Sequence, residues 1–177
     1  MFLRFAACNL ACTWCDTDFA PQASRRMPPH EIVRHLRDRD VHGTRMVVVT
    51  GGEPTLQWDG EIAGALSQAG FRVHMETNGT RALHAPVDWL TVSPKPRFHE
   101  RNEPLVLTSG DECKVVVDET VTEEDLAHYE QMQFDHWFLQ PCHGAHYEAR
   151  VRRAAMLALC RPRWRLSLQL HKIVGLP

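Results

Sequence analysis

Cys8, Cys12 and Cys15 stand three and two residues apart in the run CNLACTWCDTDF, directly after a short apolar segment. Thiolates at such spacing bind metal, and iron–sulfur cubanes are held by cysteine sulfur. An electron-carrying cubane takes four protein ligands. With no fourth cysteine nearby, a [4Fe–4S] cluster here would leave one iron open to a substrate or cofactor. A closed structural zinc site needs four ligands, and the three cysteines with one of the 11 histidines would also supply them. Cys113, Cys142 and Cys160 are scattered and read as small buried residues. Crowded cysteines fit metal or redox chemistry better than a disulfide framework.

A second candidate is Thr50-Gly51-Gly52-Glu53-Pro54, which follows the β-branched run MVVV. Two glycines allow close approach to the backbone, and Glu53 offers a carboxylate to an ammonium group. By itself such a turn is an ordinary strand-to-helix connection.

Strands and helices must alternate to place these residues. Strands are expected over 2–6, 45–50, 71–76, 89–93, 112–117, 137–140 and 165–169. Helices are expected over 28–39, 56–69 ended by Gly70, 123–131 and 146–160, and residues 94–109 read as loop. That alternation implies a mostly parallel α/β sheet. About seven strands are too few for a closed eight-stranded barrel, so an open or partial barrel is expected, in one domain over 1–177. Ligands bind at the carboxyl ends of such strands. Thr50–Pro54, Glu76–Asn78, Ser93–Lys95 and Gln140–His143 all fall there, which implies one shared site.

Charge is balanced, with 20 Lys and Arg against 22 Asp and Glu. That argues against a nucleic-acid or anionic-membrane partner and for a small-molecule substrate. No apolar run reaches the roughly 20 residues that span a bilayer. The N-terminus lacks the order of a signal peptide, so a cytoplasmic location is expected.

Trp14, placed just before the last cysteine, makes the loop similar to the CxxxCxΦC signature of radical S-adenosylmethionine (SAM) enzymes, Φ being aromatic. The Gly-Gly-Glu turn resembles the motif those proteins place on the amino group of SAM. Further runs resemble one family, the 7-carboxy-7-deazaguanine synthases: RFAACNLACTWCDTDF, TGGEPTLQ, ETNG, VSPK, ECKVV, LQP and the final LQLHKIVGLP. The resemblance implies a modified partial TIM-like barrel and the conversion of 6-carboxy-5,6,7,8-tetrahydropterin to 7-carboxy-7-deazaguanine with loss of ammonia, in queuosine and deazapurine biosynthesis. It implies a [4Fe–4S] cluster, SAM, Mg²⁺, an external one-electron reductant and a homodimer. Carried over by position, Cys8, Cys12 and Cys15 hold the cluster, and Trp14, Asp16, Gly52, Glu53, Ser93, Pro94, Lys95, Gln140 and Pro141 contact SAM. Thr17 binds Mg²⁺; Arg4, Thr50, His171 and Pro177 hold the pterin. The family has a strand and a Leu-Gln-Gly-Glu-Gly-like loop ahead of the arginine matching Arg4, so the expectation is a sheet with its first strand missing. The alternatives are a radical SAM activase that installs glycyl radicals, and a non-catalytic iron–sulfur or zinc module.

Overall fold

The computed structural model describes residues 1–17, 24–95, 97 and 103–175. Its strands are β1 (Phe2–Phe5), β2 (Met46–Gly51), β3 (Arg72–Thr77), β4 (Trp89–Val92), β5 (Ser109–Val117), β6 (Gln133–Pro141) and β7 (Arg165–Leu166). All pair in parallel, in the order in which they occur along the chain. Sequential parallel order is that of a barrel wall, and seven strands leave it open, so the expected partial TIM-like α/β fold is observed.

The helices are α1 (Pro29–Arg39), α2 (Gly60–Gln68), α3 (Glu123–Tyr129), α4 (Tyr147–Cys160) and the single turn α5 (Leu170–Ile173). α1 opens on proline, carries Glu31 in its first turn and Arg37 and Arg39 in its last, matching the backbone dipole at both ends. The helix expected over 56–69 is two pieces. Pro54–Leu56 forms a 3₁₀ turn, and α2 starts only at Gly60. Asp59 causes the break: it is extended, and its carboxylate accepts from the backbone N–H of Glu61 and Ile62 as an N-cap.

β5 and β6 are both longer than expected, paired from Ser109↔Gln133 to Val117↔Pro141. Gln133, Asp135 and His136, ahead of the strand expected over 137–140, are exposed or half-buried strand positions. β7 is shorter than expected, and the tail after it folds into α5.

Burial alternates along β3 and along most of β2, β5 and β6. One face carries Val47, Val49, Val73, Met75, Val92, Cys113, Val115, Val117, Trp137 and Leu139, all buried. Val33 and Leu36 of α1 and Ile62 and Leu66 of α2 pack on its first half; Leu126 of α3 and Ala154 of α4 pack on its second. The inner face holds the intervening residues. Cys113 and Cys142 are buried as expected, whereas Cys160, at the end of α4, is exposed.

Candidate functional site

The cysteine loop leaves β1 and folds back on the end of β2. Gly52 and Glu53 donate their backbone N–H to the carbonyls of Phe5 and Ala7, each at 2.8 Å. A Cβ on Gly51 would lie 2.2 Å from the Phe5 oxygen, and one on Gly52 would lie 1.8 Å from the Ala7 oxygen. The close approach that requires these glycines is therefore that of the chain's own backbone, the end of β1 at Gly51 and the start of the cysteine loop at Gly52. Gly51 also has φ +120°, and Ala7 enters the loop at φ 67°.

Glu53 is 1% exposed, and four donors meet its carboxylate. Oε1 accepts from the Thr55 N–H (3.0 Å), the Thr55 hydroxyl (2.5 Å) and the Thr77 hydroxyl (2.6 Å). Oε2 accepts from the Asn78 N–H at 2.7 Å. The buried charge is thus satisfied from two turns, as it must be to persist there. Spare acceptor capacity lies on Oε2.

Cys8 and Cys12 are half-buried and Cys15 is exposed, with the Cys15 N–H donating to the Cys12 carbonyl at 3.1 Å. Burial pushes the Cys12 thiol up to about 11, against the pull of the Lys95 charge. Burial also raises Cys8, opposed by the N–H of Leu10, which donates to its sulfur at 3.4 Å. Among the described residues no three His, Cys, Asp or Glu side chains converge on a single metal ion. A cubane does not need that convergence, because each cysteine binds a different iron. The donor set, three thiols with a cation alongside, fits an iron–sulfur cluster.

Lys95 links the two sides of the site. Its ammonium donates to the Ser93 carbonyl and hydroxyl and lies 6.0 Å from the centre of the Trp14 ring. Burial lowers its pKa, while Cys12, Glu53 and Glu76 act to raise it. Trp14, Ser93, Pro94 and Lys95 are therefore gathered beside the cysteines and Glu53. Gln140 and Pro141 end β6 on the same edge of the sheet.

Asp16 is tied to the C-terminal segment through Lys172, and more weakly through Gln169 at 3.5 Å. Burial works to raise its pKa, but the Lys172 hydrogen bond and charge outweigh that and hold the carboxyl below its usual range. The Thr17 hydroxyl reaches Asp16 Oδ1 at 3.4 Å. His171, on α5, is exposed beside Lys172. Pro177 lies outside the described residues.

Arg4 and Thr50 are register partners on the inner face of β1 and β2. Glu76 follows on the inner face of β3, and Lys114 of β5 reaches over β4 to its Oε1 at 2.6 Å. The sequence placed Glu76 at the shared site without a role and did not single out Lys114, although both lie in motifs of the family. The signal available was a charged residue at every second position of a strand, Glu112 and Lys114, which a fully covered parallel strand would not carry. Lower on the same face Trp89 stacks between His74 and His136, at 5.9 and 5.4 Å. Burial raises Glu112 there, against Lys114 and the Trp89 side chain.

Fold and site together define a radical SAM protein, and a model of the radical SAM superfamily matches residues 3–95. The 7-carboxy-7-deazaguanine synthase of Bordetella pertussis is 38% identical over the whole chain and 89% of its own length. The Caulobacter vibrioides synthase is 37% identical, with the same coverage. The crystal structure of QueE from Escherichia coli superposes with a TM-score of 0.71 at 24% identity, over 95% of this chain and 84% of that one. The chain belongs to the 7-carboxy-7-deazaguanine synthase family of radical SAM enzymes. Membership implies a [4Fe–4S] cluster and SAM, and decides against the activase and the zinc module. No helix among the described residues is long and apolar enough to cross a membrane.

Proposed function

We propose that the chain, acting as one domain over 1–177, converts 6-carboxy-5,6,7,8-tetrahydropterin to 7-carboxy-7-deazaguanine with release of ammonia. The observation that carries this reading is the meeting of three thiols, a half-buried lysine and a charged inner face at one end of a parallel sheet. Cys8, Cys12 and Cys15 hold the cluster. Bound there, the cluster and SAM supply one-electron chemistry able to remove a hydrogen atom from the pterin ring.

The remaining work belongs to side chains. Trp14, Ser93, Pro94 and Lys95 border SAM, with Gln140 and Pro141 opposite and Asp16 at the loop end. Gly52 and the spare acceptor of Glu53 Oε2 receive its ammonium. Arg4 pairs with the substrate carboxylate, a charge-assisted contact. Thr50 and His171 add neutral hydrogen bonds. Glu76, held by Lys114, accepts from the N–H groups of the 2-amino-4-oxo ring. The Thr17 hydroxyl contributes to a Mg²⁺ site; Mg²⁺ keeps several waters and needs few protein ligands. By the same family reading the enzyme works in the cytoplasm as a homodimer with an external reductant.

Anaerobic reconstitution followed by EPR of the reduced protein, with and without SAM, tests the cluster half. A [4Fe–4S] signal that changes on adding SAM, followed by ammonia release from the pterin, is expected. A signal indifferent to SAM overturns the reading, and a SAM-responsive cluster without ammonia release overturns the substrate.

A further inference from the structure

Asn9, between the first two cysteines, is part of a closed ring of three side chains. Its amide nitrogen donates to the Thr80 hydroxyl at 2.7 Å. That hydroxyl donates to Asn78 Oδ1 at 2.6 Å, and Asn78 Nδ2 returns a bond to Asn9 Oδ1 at 3.1 Å. Asn9 Nδ2 also reaches Glu103 Oε2 at 3.0 Å. The amide orientations follow from the partners. The Thr80 backbone N–H, at 2.9 Å, can only donate, so the Asn78 atom facing it is oxygen. Its nitrogen then faces Asn9, whose own nitrogen must face Thr80 and the acceptor-only carboxylate of Glu103.

The ring joins the start of the cysteine loop to the turn that also holds Glu53. Asn78 donates its backbone N–H to Glu53, and Glu53 donates its own to Ala7, just ahead of Cys8. Asn78 and Thr80 are 7% and 1% exposed, so the ring is anchored in the interior. Arg81 holds Glu103 through its two terminal guanidinium nitrogens, Nη1 and Nη2, at 2.5 and 3.0 Å. Only a side chain with donor and acceptor on one planar group closes this ring; aspartate has no donor and alanine has neither.

We propose that Asn9 is a positioning residue for the iron–sulfur cluster: its carboxamide locks the cysteine loop to the Asn78–Thr80 turn and to Glu103, so that the thiols are presented before iron arrives. A loop ordered in advance has less freedom to lose when the metal binds. The inference rests on the cluster reading of Cys8, Cys12 and Cys15.

The test uses the full chain, reconstituted with iron and sulfide, and follows the loss of the cluster's visible absorbance to a chelator. Asn9→Asp removes both donated bonds and sets a second carboxylate against Glu103, so cluster loss is expected to quicken by about tenfold or more. Asn9→Ala is expected to quicken it by a similar factor without the repulsion. In Asn9→Asp/Glu103→Gln the new amide can donate to the aspartate, and the loss rate should return to within about threefold of wild type. The melting temperature of each metal-free variant is measured alongside. Wild-type loss rates in Asn9→Asp and Asn9→Ala overturn the proposal. So does quickened loss that follows the fall in metal-free melting temperature and is not relieved by Glu103→Gln. A wild-type chain that takes up no cluster overturns the cluster reading, and the proposal with it.

Discussion

The two faces of this sheet are one residue out of phase and have little else in common. The helix-covered face is aliphatic and nearly dry, with Val47, Val49, Met75, Val115, Val117 and Leu139 at 0% exposure. The inner face, on the same strands, carries Arg4, Thr50, His74, Glu76, Glu112, Lys114 and His136, mostly half-buried. Side chains of a strand alternate between faces, so one segment can supply the core and the chemistry independently. The contrast implies that damage to one face should spare the other's property.

The largest expected effect is on chemistry alone. Cys12→Ser should abolish cluster retention and turnover, while the metal-free protein keeps its stability to within about 0.5 kcal/mol; visible absorbance and thermal melting read the two separately. A metal-free melting temperature that fell steeply would show the loop to be part of the core.

Leu139→Ala is the opposite case. Truncating a fully buried leucine leaves a cavity and costs about 2–5 kcal/mol by denaturant unfolding. Per folded molecule, cluster content should be unchanged.

Lys114→Met tests the inner face. It leaves Glu76, whose side chain is 38% exposed, able to hydrate. Stability should therefore move by ~1 kcal/mol or less, while kcat/KM falls about tenfold through loss of one charge-assisted bond. Equal losses of stability and kcat/KM would blur the distinction between the faces.

The smallest effect is the pH dependence of the Asp16–Lys172 tie. The folded Asp16 pKa is lowered, so the tie's contribution is fully present above the unfolded value of about 4. It is lost as pH falls through the folded value. Lys172→Met should lower the melting temperature slightly at pH 7, a half-exposed pair being worth ~0–1 kcal/mol. The gap from wild type should close in acid. A gap that widened in acid would mean that Lys172 stabilises the fold by some other contact.

Much of the site was legible because its signals are local. The cysteine spacing, Trp14 before Cys15 and the Gly-Gly-Glu run are each contained in a few residues. The strands with β-branched runs, β2 and the second half of β5, fell where expected for the same reason. What was missed depended on partners distant in the chain. β6 extends back to Gln133 because β5 offers a matching edge from Ser109. The expected helix over 56–69 gave way to the Asp59 cap, which outweighed apolar spacing.

The sequence by itself determined the three-cysteine spacing and the parallel α/β order, because periodicity and spacing are properties of neighbours along the chain, and its short motifs carried the resemblance to the family. Only the tertiary structure decided that Gly51 makes room for the end of β1 and Gly52 for the cysteine loop, and that Glu53 meets four donors. It also decided that Lys114 holds Glu76 and that Asn9 closes a ring with Asn78 and Thr80. Apart from the Thr55–Glu53 and Thr80–Asn78 bonds, which span two positions, these contacts join residues from 24 to 71 positions apart. Hydrogen bonds act over about 3 Å, so no pattern along the chain reports them until folding brings their ends together.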